Sequence, residues 1–374
     1  MEEKALEILK IFNEKGYSAY IVGGYVRDKL LGTKSNDIDI CTSATPKEIK
    51  ELFDTTSQEQ YGSIPVIYKN NIFDITTYRK EIKYEKNRKP IKIKYIKKIK
   101  KDLLRRDFTI NTLCMNEFGE VEDILNIKED LDKKIIKTVG NPRYKIKEDS
   151  LRILRAIRFS TILDFTIEPK TKHFLEKYGY LLKKLSYQRK KEELNKIFSS
   201  ANKEKGRKLL IELKLDKQLD LHYLQNIELC DNLIGIWAQL DVDDIYPFNK
   251  LEKEQMSNIR ILLNTDLYNP YTLYKYDLYL VTVAAQIKKL DITKINKIYK
   301  GLPILSRKDI DIKPIEISQI LNKKPGNYLK EIVTDLEEKI VSKTLKNNKE
   351  DIEKYIIKKY KKDWFKWNTS RNLF

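Results

Sequence analysis

Asp37 and Asp39 stand two residues apart in the run Asn36-Asp37-Ile38-Asp39-Ile40. An extended strand turns successive side chains to opposite faces, so the two carboxylates share one face and Ile38 and Ile40 share the other. Side by side and unpaired, two carboxylates repel, and one keeps its proton unless a cation lies between them. Hard oxygen donors of this kind suit Mg2+, which completes its shell with waters and substrate phosphates. A place for the phosphates lies upstream. Gly23 and Gly24 close the apolar run 20–22 and precede a short helix expected over 25–31, so backbone N–H groups and the Arg27 guanidinium could grip a triphosphate there. Either signal alone is common on turns and strand ends; together, at this spacing, they specify phosphoryl chemistry.

More acids and arginines follow. Asp74 lies between Phe73 and Ile75 on the second arm of a hairpin expected over 64–68 and 72–78, turning at Asn70-Asn71, residues that tolerate positive φ. With Phe73 and Ile75 in the core, Asp74 faces the same open side as Asp37 and Asp39. There it is either a third carboxylate, completing a metal site or accepting the proton of an attacking hydroxyl, or a solvated strand residue. Asp102 is expected to start a helix through 103–115 that puts Asp107 and Asn111 one turn apart, with Arg105 and Arg106 beside them. Another helix, opening at Glu148-Asp149-Ser150-Leu151-Arg152, is expected to carry 148, 149, 152 and 155 on one stripe with Leu151, Leu154 and Ile157 behind it. By itself that stripe reads as a surface ladder of ion pairs.

The order of these strings, GGYVRDKLLG, then DIDI, then TSATPKEI, resembles the head of the class II nucleotidyltransferases, the family of bacterial CCA-adding enzymes and bacterial poly(A) polymerases. The resemblance covers roughly the first half of the chain. It implies an α+β head of polymerase-β-like type over 1–140, an all-α neck over 141–200 with the nucleotide template, and an all-α body and tail over 201–374 that bind tRNA. RRDFTIN resembles the second motif of the family, in which Arg106 contacts the nucleotide phosphates and Asp107 lies near the sugar. The segment 148–152 resembles the template motif, with Asp149 and Arg152 reading the incoming base. Arg155 and Arg158 continue that stripe toward base or phosphates, Arg158 reading equally as a surface residue.

An acid and an arginine suffice for such reading. Cytosine and adenine each present an amino donor beside a ring-nitrogen acceptor, whereas uracil and guanine present a carbonyl beside a ring N–H. A carboxylate next to a guanidinium matches only the first pattern. The basic stretch 77–95 reads as a solvated loop, and it occupies the position of a family loop that assists the change from adding C to adding A. Tyr84, Arg88 and Pro90 fit the loose pattern of that loop, while Lys86 stands where an acid is usual. Residues 186–198 resemble the next helical motif, with Gln188 in place of glutamate, and read as structural.

The remaining sequence must supply the scaffold. Ala5, Ile8, Leu9 and Phe12 recur at helical spacing before Gly16, and Thr45-Pro46-Lys47-Glu48 offers a capping box with proline at the first helical position, so helices are expected over 2–15 and 46–53. With 74 Lys and Arg against 55 Asp and Glu, the net charge is +19, which points to a polyanionic partner such as nucleic acid. Cys41, Cys114 and Cys230 lack metal spacing, and with His173 and His222 the only histidines a His-based metal or triad site is not expected. No apolar run is long enough to span a membrane or act as a leader, and the expected location is cytoplasmic. The tail from Lys358 mixes basic and aromatic residues, either for RNA contact or as a packed amphipathic end. The expected activity is transfer of nucleotides from CTP and ATP to the tRNA 3′ hydroxyl with two Mg2+ ions. Its alternatives are poly(A) synthesis, CC-only or A-only addition, or, in another class, a non-catalytic RNA-binding protein.

Overall fold

The computed structural model describes residues 1–56, 62–85 and 89–361, side chains excepted at 81–92. The chain forms two compact units, Met1–Ile227 with Asp244–Pro247, and Glu228–Asp243 with Phe248–Phe374.

The first unit opens with α1 (Glu2–Glu14), which buries Ala5, Ile8, Leu9 and Phe12 as their spacing dictates. There follow β1 (Ala19–Val22), α2 (Gly24–Leu30), β2 (Asp39–Thr42), α3 (Pro46–Leu52), β3 (Asp54–Thr55), β4 (Ser63–Tyr68), β5 (Asn71–Thr77), β6 (Arg79–Glu85), β7 (Lys89–Tyr95), α4 (Ile99–Leu103), β8 (Cys114–Met115) and β9 (Val121–Glu122). The capping box of α3 is formed, with Glu48 Oε2 accepting from the Thr45 N–H at 2.6 Å. Seven strands make one sheet in the order β3-β4-β5-β2-β1-β8-β9, parallel only between β2 and β5. Met115, Ile21, Ile40, Ile75 and Ile64 are register partners across five adjacent strands and are wholly buried. One residue along, on the opposite face, runs the row Cys114, Val22, Asp39, Asp74 and Pro65. Because the strand period is two, burying the isoleucine row forces the aspartates onto the other face.

The sequence expectations need three corrections here. The β4–β5 turn is Lys69-Asn70 (φ 46° and 63°), not Asn70-Asn71, because pairing runs out to Tyr68 opposite Asn71. Lys4 Nζ fixes that register, donating to Lys69 O at 2.9 Å and Asn71 Oδ1 at 2.6 Å. Much of the stretch 77–95 is not a loop: β6 and β7 pair antiparallel from Arg79 opposite Tyr95 to Glu85 opposite Lys89. The side chains of Tyr84, Lys86, Arg88 and Pro90 lie outside the described residues. The helix expected over 103–115 is absent. α4 stops at Leu103, a single 3₁₀ turn spans Thr109–Asn111, and Cys114 and Met115 pair with β1. Backbone bonds to a neighbouring segment, Thr109 N to Lys137 O and Val139 N to Asp107 O, replace those of a helix.

The first unit continues with α5 (Lys128–Asp132), the short parallel pair β10 (Ile135–Ile136) and β11 (Thr166–Ile167), α6 (Pro142–Glu148), α7 (Leu151–Ile162), α8 (Pro169–Lys177), α9 (Tyr187–Phe198) and α10 (Lys203–Glu212). The expected helix through Glu148–Arg152 is broken at Asp149 (φ −140°, ψ 104°), which ends α6 before α7 starts at Leu151. In the second unit α11 (Leu233–Leu240), α12 (Lys250–Leu263), α13 (Pro270–Ile287), α14 (Ile292–Lys300), α15 (Pro314–Ile320), α16 (Tyr328–Val341) and α17 (Lys349–Ile356) pack without a strand among the described residues. α13 breaks at Asp277, whose Oδ1 accepts from Leu280 N at 2.9 Å and restarts the helix. Among the described residues no helix is long and apolar enough to cross a membrane. Trp364 and Trp367 lie outside the described residues.

Candidate active site

Asp37, Asp39 and Asp74 are all exposed while Ile38, Phe73 and Ile75 are buried, so the alternation expected of both segments holds. Asp39 and Asp74 are direct register partners. Desolvation by the walls of the site and then the Asp37 charge raise the Asp39 carboxyl above its usual range; Arg106 opposes them and Asp74 adds to the rise. Crowded, acceptor-only oxygens whose ionisation is held back are a donor set that a hard cation would relieve. Among the described residues no three Asp, Glu, His or Cys side chains close around one point, so such a cation would take its remaining ligands from water and substrate.

Over this acidic row sits the glycine turn. Gly23 has φ 82° and ψ −137°, a conformation other residues avoid, and a Cβ there would lie 3.5 Å from Asp39 Oδ2 and 3.6 Å from Arg106 Nη1. The bare Cα therefore leaves room where an acid and a guanidinium converge. Arg106 is anchored by Asp102, a fully buried carboxylate 3.4 Å from its Nη2, which also accepts from Arg105 Nε at 2.9 Å and Arg79 N at 3.1 Å. Arg106 Nε is buried with no hydrogen-bond partner among the described residues, while Nη1 is the atom beside Gly23. Asp102, expected to open a helix, instead lies near the end of α4, and its service to Arg105 and Arg106 follows the i+3 and i+4 spacing.

Asp107 and Asn111 do meet, although no helix joins them. Asp107 Oδ1 accepts from Phe108 N at 2.8 Å and Asn111 Nδ2 at 3.3 Å, and its Oδ2 accepts from Arg155 Nε at 2.7 Å. Burial opposes ionisation of Asp107, but the Arg155 charge and these bonds hold its pKa down to about 2. Asn111 Oδ1 accepts in turn from Arg27 Nη1 at 2.7 Å, and Arg27 pairs with Asp28 at 2.7 Å. Thus Arg27 of α2 and Arg155 of α7 are tied through Asn111 and Asp107. Phe159 lies within the same cluster, with the guanidinium carbons of Arg27, Arg155 and Arg158 at 5.3, 5.3 and 4.4 Å from its ring centre. Arg158 is buried and bonds Glu193 Oε1 at 3.0 Å, so it is no surface residue.

The chain break at Asp149 changes the stripe that was expected to hold Glu148, Asp149, Arg152 and Arg155. Asp149 Oδ1 accepts from Leu151 N at 3.0 Å. Arg152 is only 5% exposed, and its guanidinium donates to Lys145 O at 2.8 Å, Arg105 O at 3.1 Å and Glu148 Oε2 at 3.2 Å. A side chain so enclosed does not belong to a solvated ladder, and its plane is set by two backbone carbonyls.

Comparison with known proteins decides the family. Residues 19–137 match the Poly A polymerase head domain and residues 189–356 a putative tRNA nucleotidyltransferase domain 2. The chain is 30% identical to the CCA-adding enzyme of Bacillus cereus (strain AH820), over 95% of this chain and 98% of that one. It is 33% identical to the CCA-adding enzyme of Ligilactobacillus salivarius (strain UCC118), over 93% and 94%. The chain belongs to the CCA-adding enzyme family. The crystal structure of Bacillus stearothermophilus CCA-adding enzyme in complex with CTP superposes with a TM-score of 0.84 at 25% identity, covering 97% of this chain and 98% of that one. This member of the CCA-adding family is thus a nucleotidyltransferase whose first unit begins with a polymerase-β-like α+β head and whose second unit is helical. Three contributors to its site escaped the sequence reading: Asp102 as anchor, Phe159 among the arginines and Glu193 opposite Arg158. The spacing of Asp102 to Arg105 and Arg106 and that of Phe159 to Arg155 and Arg158 were visible in advance; Glu193 looks like an ordinary helix residue until α7 and α9 are packed together.

Proposed function

We propose that this protein adds C, C and A, taken from CTP and ATP, to the 3′ end of tRNA, reading each base with protein side chains. The observation that carries this is the convergence of the Asp39 carboxylate and the Arg106 guanidinium on bare Gly23, beside the Asp39–Asp74 register, in a chain similar to CCA-adding enzymes along nearly its whole length. Asp37 and Asp39 would hold Mg2+ in this reading, which would supply positive charge to acidify the attacking hydroxyl and to neutralise the pyrophosphate leaving group. Asp74 adds a third carboxylate to the row. Gly23 and Gly24 let the backbone approach the triphosphate, Arg27 and Arg106 meet its charge, and Asp107 lies toward the sugar. Asp149 accepts from the amino group of C or A while Arg152 donates to the ring nitrogen, with Arg155 and Arg158 shaping the pocket around Phe159. The head, neck, and body with tail correspond to 1–140, 141–200 and 201–374. Cys41, Cys114 and Cys230, buried and not joined in disulfides, suit a reducing cytoplasm.

Incubation of the full chain with tRNA lacking its end and each labelled triphosphate tests the reading. Incorporation of C, C and then A is expected; A alone, C alone or long A tracts would mark a partial enzyme or a poly(A) polymerase, and no incorporation a non-catalytic RNA-binding protein. Asp39→Ala should abolish incorporation of every nucleotide while the circular dichroism spectrum is retained; activity within a few-fold of wild type would remove the assignment.

A further inference from the structure

Within the first unit, away from the carboxylates, a cavity of about 480 Å³ opens between α8, the 3₁₀ segment Gly179–Lys184 and the residues just after α10. Tyr180 forms one wall and is 53% exposed, a large ring left in solvent. Behind it the rings run on in contact: Tyr178 edge-on to Tyr180 at 6.3 Å, and Phe174 stacked on Tyr178 at 5.8 Å. His173 and Lys177 project from α8 into the same cavity wall, and Lys177 makes no ion pair among the described residues. Glu176 and Lys214 also line it and are spent on each other at 3.0 Å. Gln218 lines the floor. Gly179 lets the wall close this far, since a Cβ there would come 2.7 Å from Leu215 Cδ2.

An aromatic face for a base and one uncommitted cation for a phosphate are what a single nucleotide unit requires. We propose that this cavity receives one unpaired nucleotide of the bound RNA, its base stacked on Tyr180 and its phosphodiester beside Lys177 and His173. The proposal rests on the tRNA reading above. A free triphosphate is a poorer occupant, because its charge needs several cations and the cavity offers one unpaired lysine. The net charge of +19 favours a polyanion over an uncharged partner.

Binding of the full chain to a tRNA transcript ending before C-C-A, measured by filter retention across a potassium chloride series, tests it. Tyr180→Ala should weaken binding roughly 5- to 100-fold, and Tyr180→Phe should restore it, since stacking needs the ring alone. Lys177→Gln should weaken binding and lower the slope of log affinity against log salt by about one. CTP affinity, read by fluorescence on the same variants, should stay within two-fold of wild type. Tyr180→Ala and Lys177→Gln proteins that both hold the transcript as wild type does would overturn the cavity while leaving the tRNA reading intact. A wild-type protein that holds no transcript would overturn both.

Discussion

Asp107 keeps its charge at 9% exposure because Arg155, Asn111 and the Phe108 N–H all serve it. Its pKa, ordinarily 3.8, falls to about 2 in the fold. A depressed carboxyl contributes stability that is complete above its unfolded pKa and is lost as the pH falls through its folded pKa, here between about 4 and 2. Asp107→Asn should therefore lose on the order of 2 kcal/mol at pH 7 and show a shallower fall in stability between pH 4 and 2. Urea unfolding at several pH values measures both, and an unchanged acid limb would show that the pair adds nothing. Arg152 calls for a different readout. Its guanidinium holds two backbone carbonyls and Glu148, so Arg152→Ala should cost on the order of 2 kcal/mol whether or not it touches a base. A base reader makes a further demand, that the ratio of CTP to UTP incorporation fall toward unity, and unfolding cannot change a ratio taken on the folded fraction. Should that ratio hold while stability drops, Arg152 is a structural tie between α7 and the Arg105 backbone.

At the scale of elements, register places the chemistry. The isoleucine row and the aspartate row are one residue apart on the same strands, so sheet burial and carboxylate exposure are a single decision. The break at Asp149 works similarly: it turns a predicted continuous stripe into two helix ends and brings the Lys145 carbonyl to the Arg152 guanidinium. The β6–β7 hairpin is a separate two-stranded sheet, paired to no strand of the main sheet. Replacing 82–92 by a two-residue turn keeps the pairs Arg79 with Tyr95, Lys80 with Lys94 and Glu81 with Ile93. Single-nucleotide primer extension should then show C addition within a few-fold of wild type and the final A strongly reduced. Equal loss of both would make the hairpin a support for the fold.

For the whole molecule, charge is the governing term. Phosphate contacts release counterions, so a protein neutralising about 6–10 phosphates loses roughly 10³–10⁵ in affinity between 50 and 200 mM salt. With 74 Lys and Arg on the chain, tRNA affinity should fall steeply over that range, and a flat response in filter binding would deny the chain an electrostatic RNA surface. The two units limit how such binding can be mapped. The first runs to Ile227 and takes back Asp244–Pro247, where Tyr246 donates to Leu219 O at 2.8 Å. Gly206 of α10 lies so close to α9 and α7 that a Cβ would sit 2.4 Å from Ile197 Cγ2 and 2.9 Å from Thr161 Oγ1. A chain cut at residue 200 would therefore lose part of the first unit's packing, and loss of binding in it would not locate an RNA surface.

Much of the site was legible beforehand because its signals are local. The Asp37–Asp39 alternation, the glycine pair before α2, the α3 capping box and the side shared by Asp74 depend on neighbours within a few residues, where strand and helix periods decide side-chain direction. The segment 103–115 was misread for the opposite reason: its helical spacing is real, but backbone pairing with β1 and with residues 137–139 yields hydrogen bonds that no local pattern announces. Asp107 and Asn111 nonetheless meet, across a 3₁₀ turn and not an α-helical one. The sequence alone determined which residues face together along each strand; packing decided which faces meet. That Arg155 closes on Asp107, that Arg158 is buried against Glu193 and that Arg27 joins Arg155 and Arg158 around Phe159 are consequences of contacts between elements far apart in the chain, and only the folded structure sets those distances.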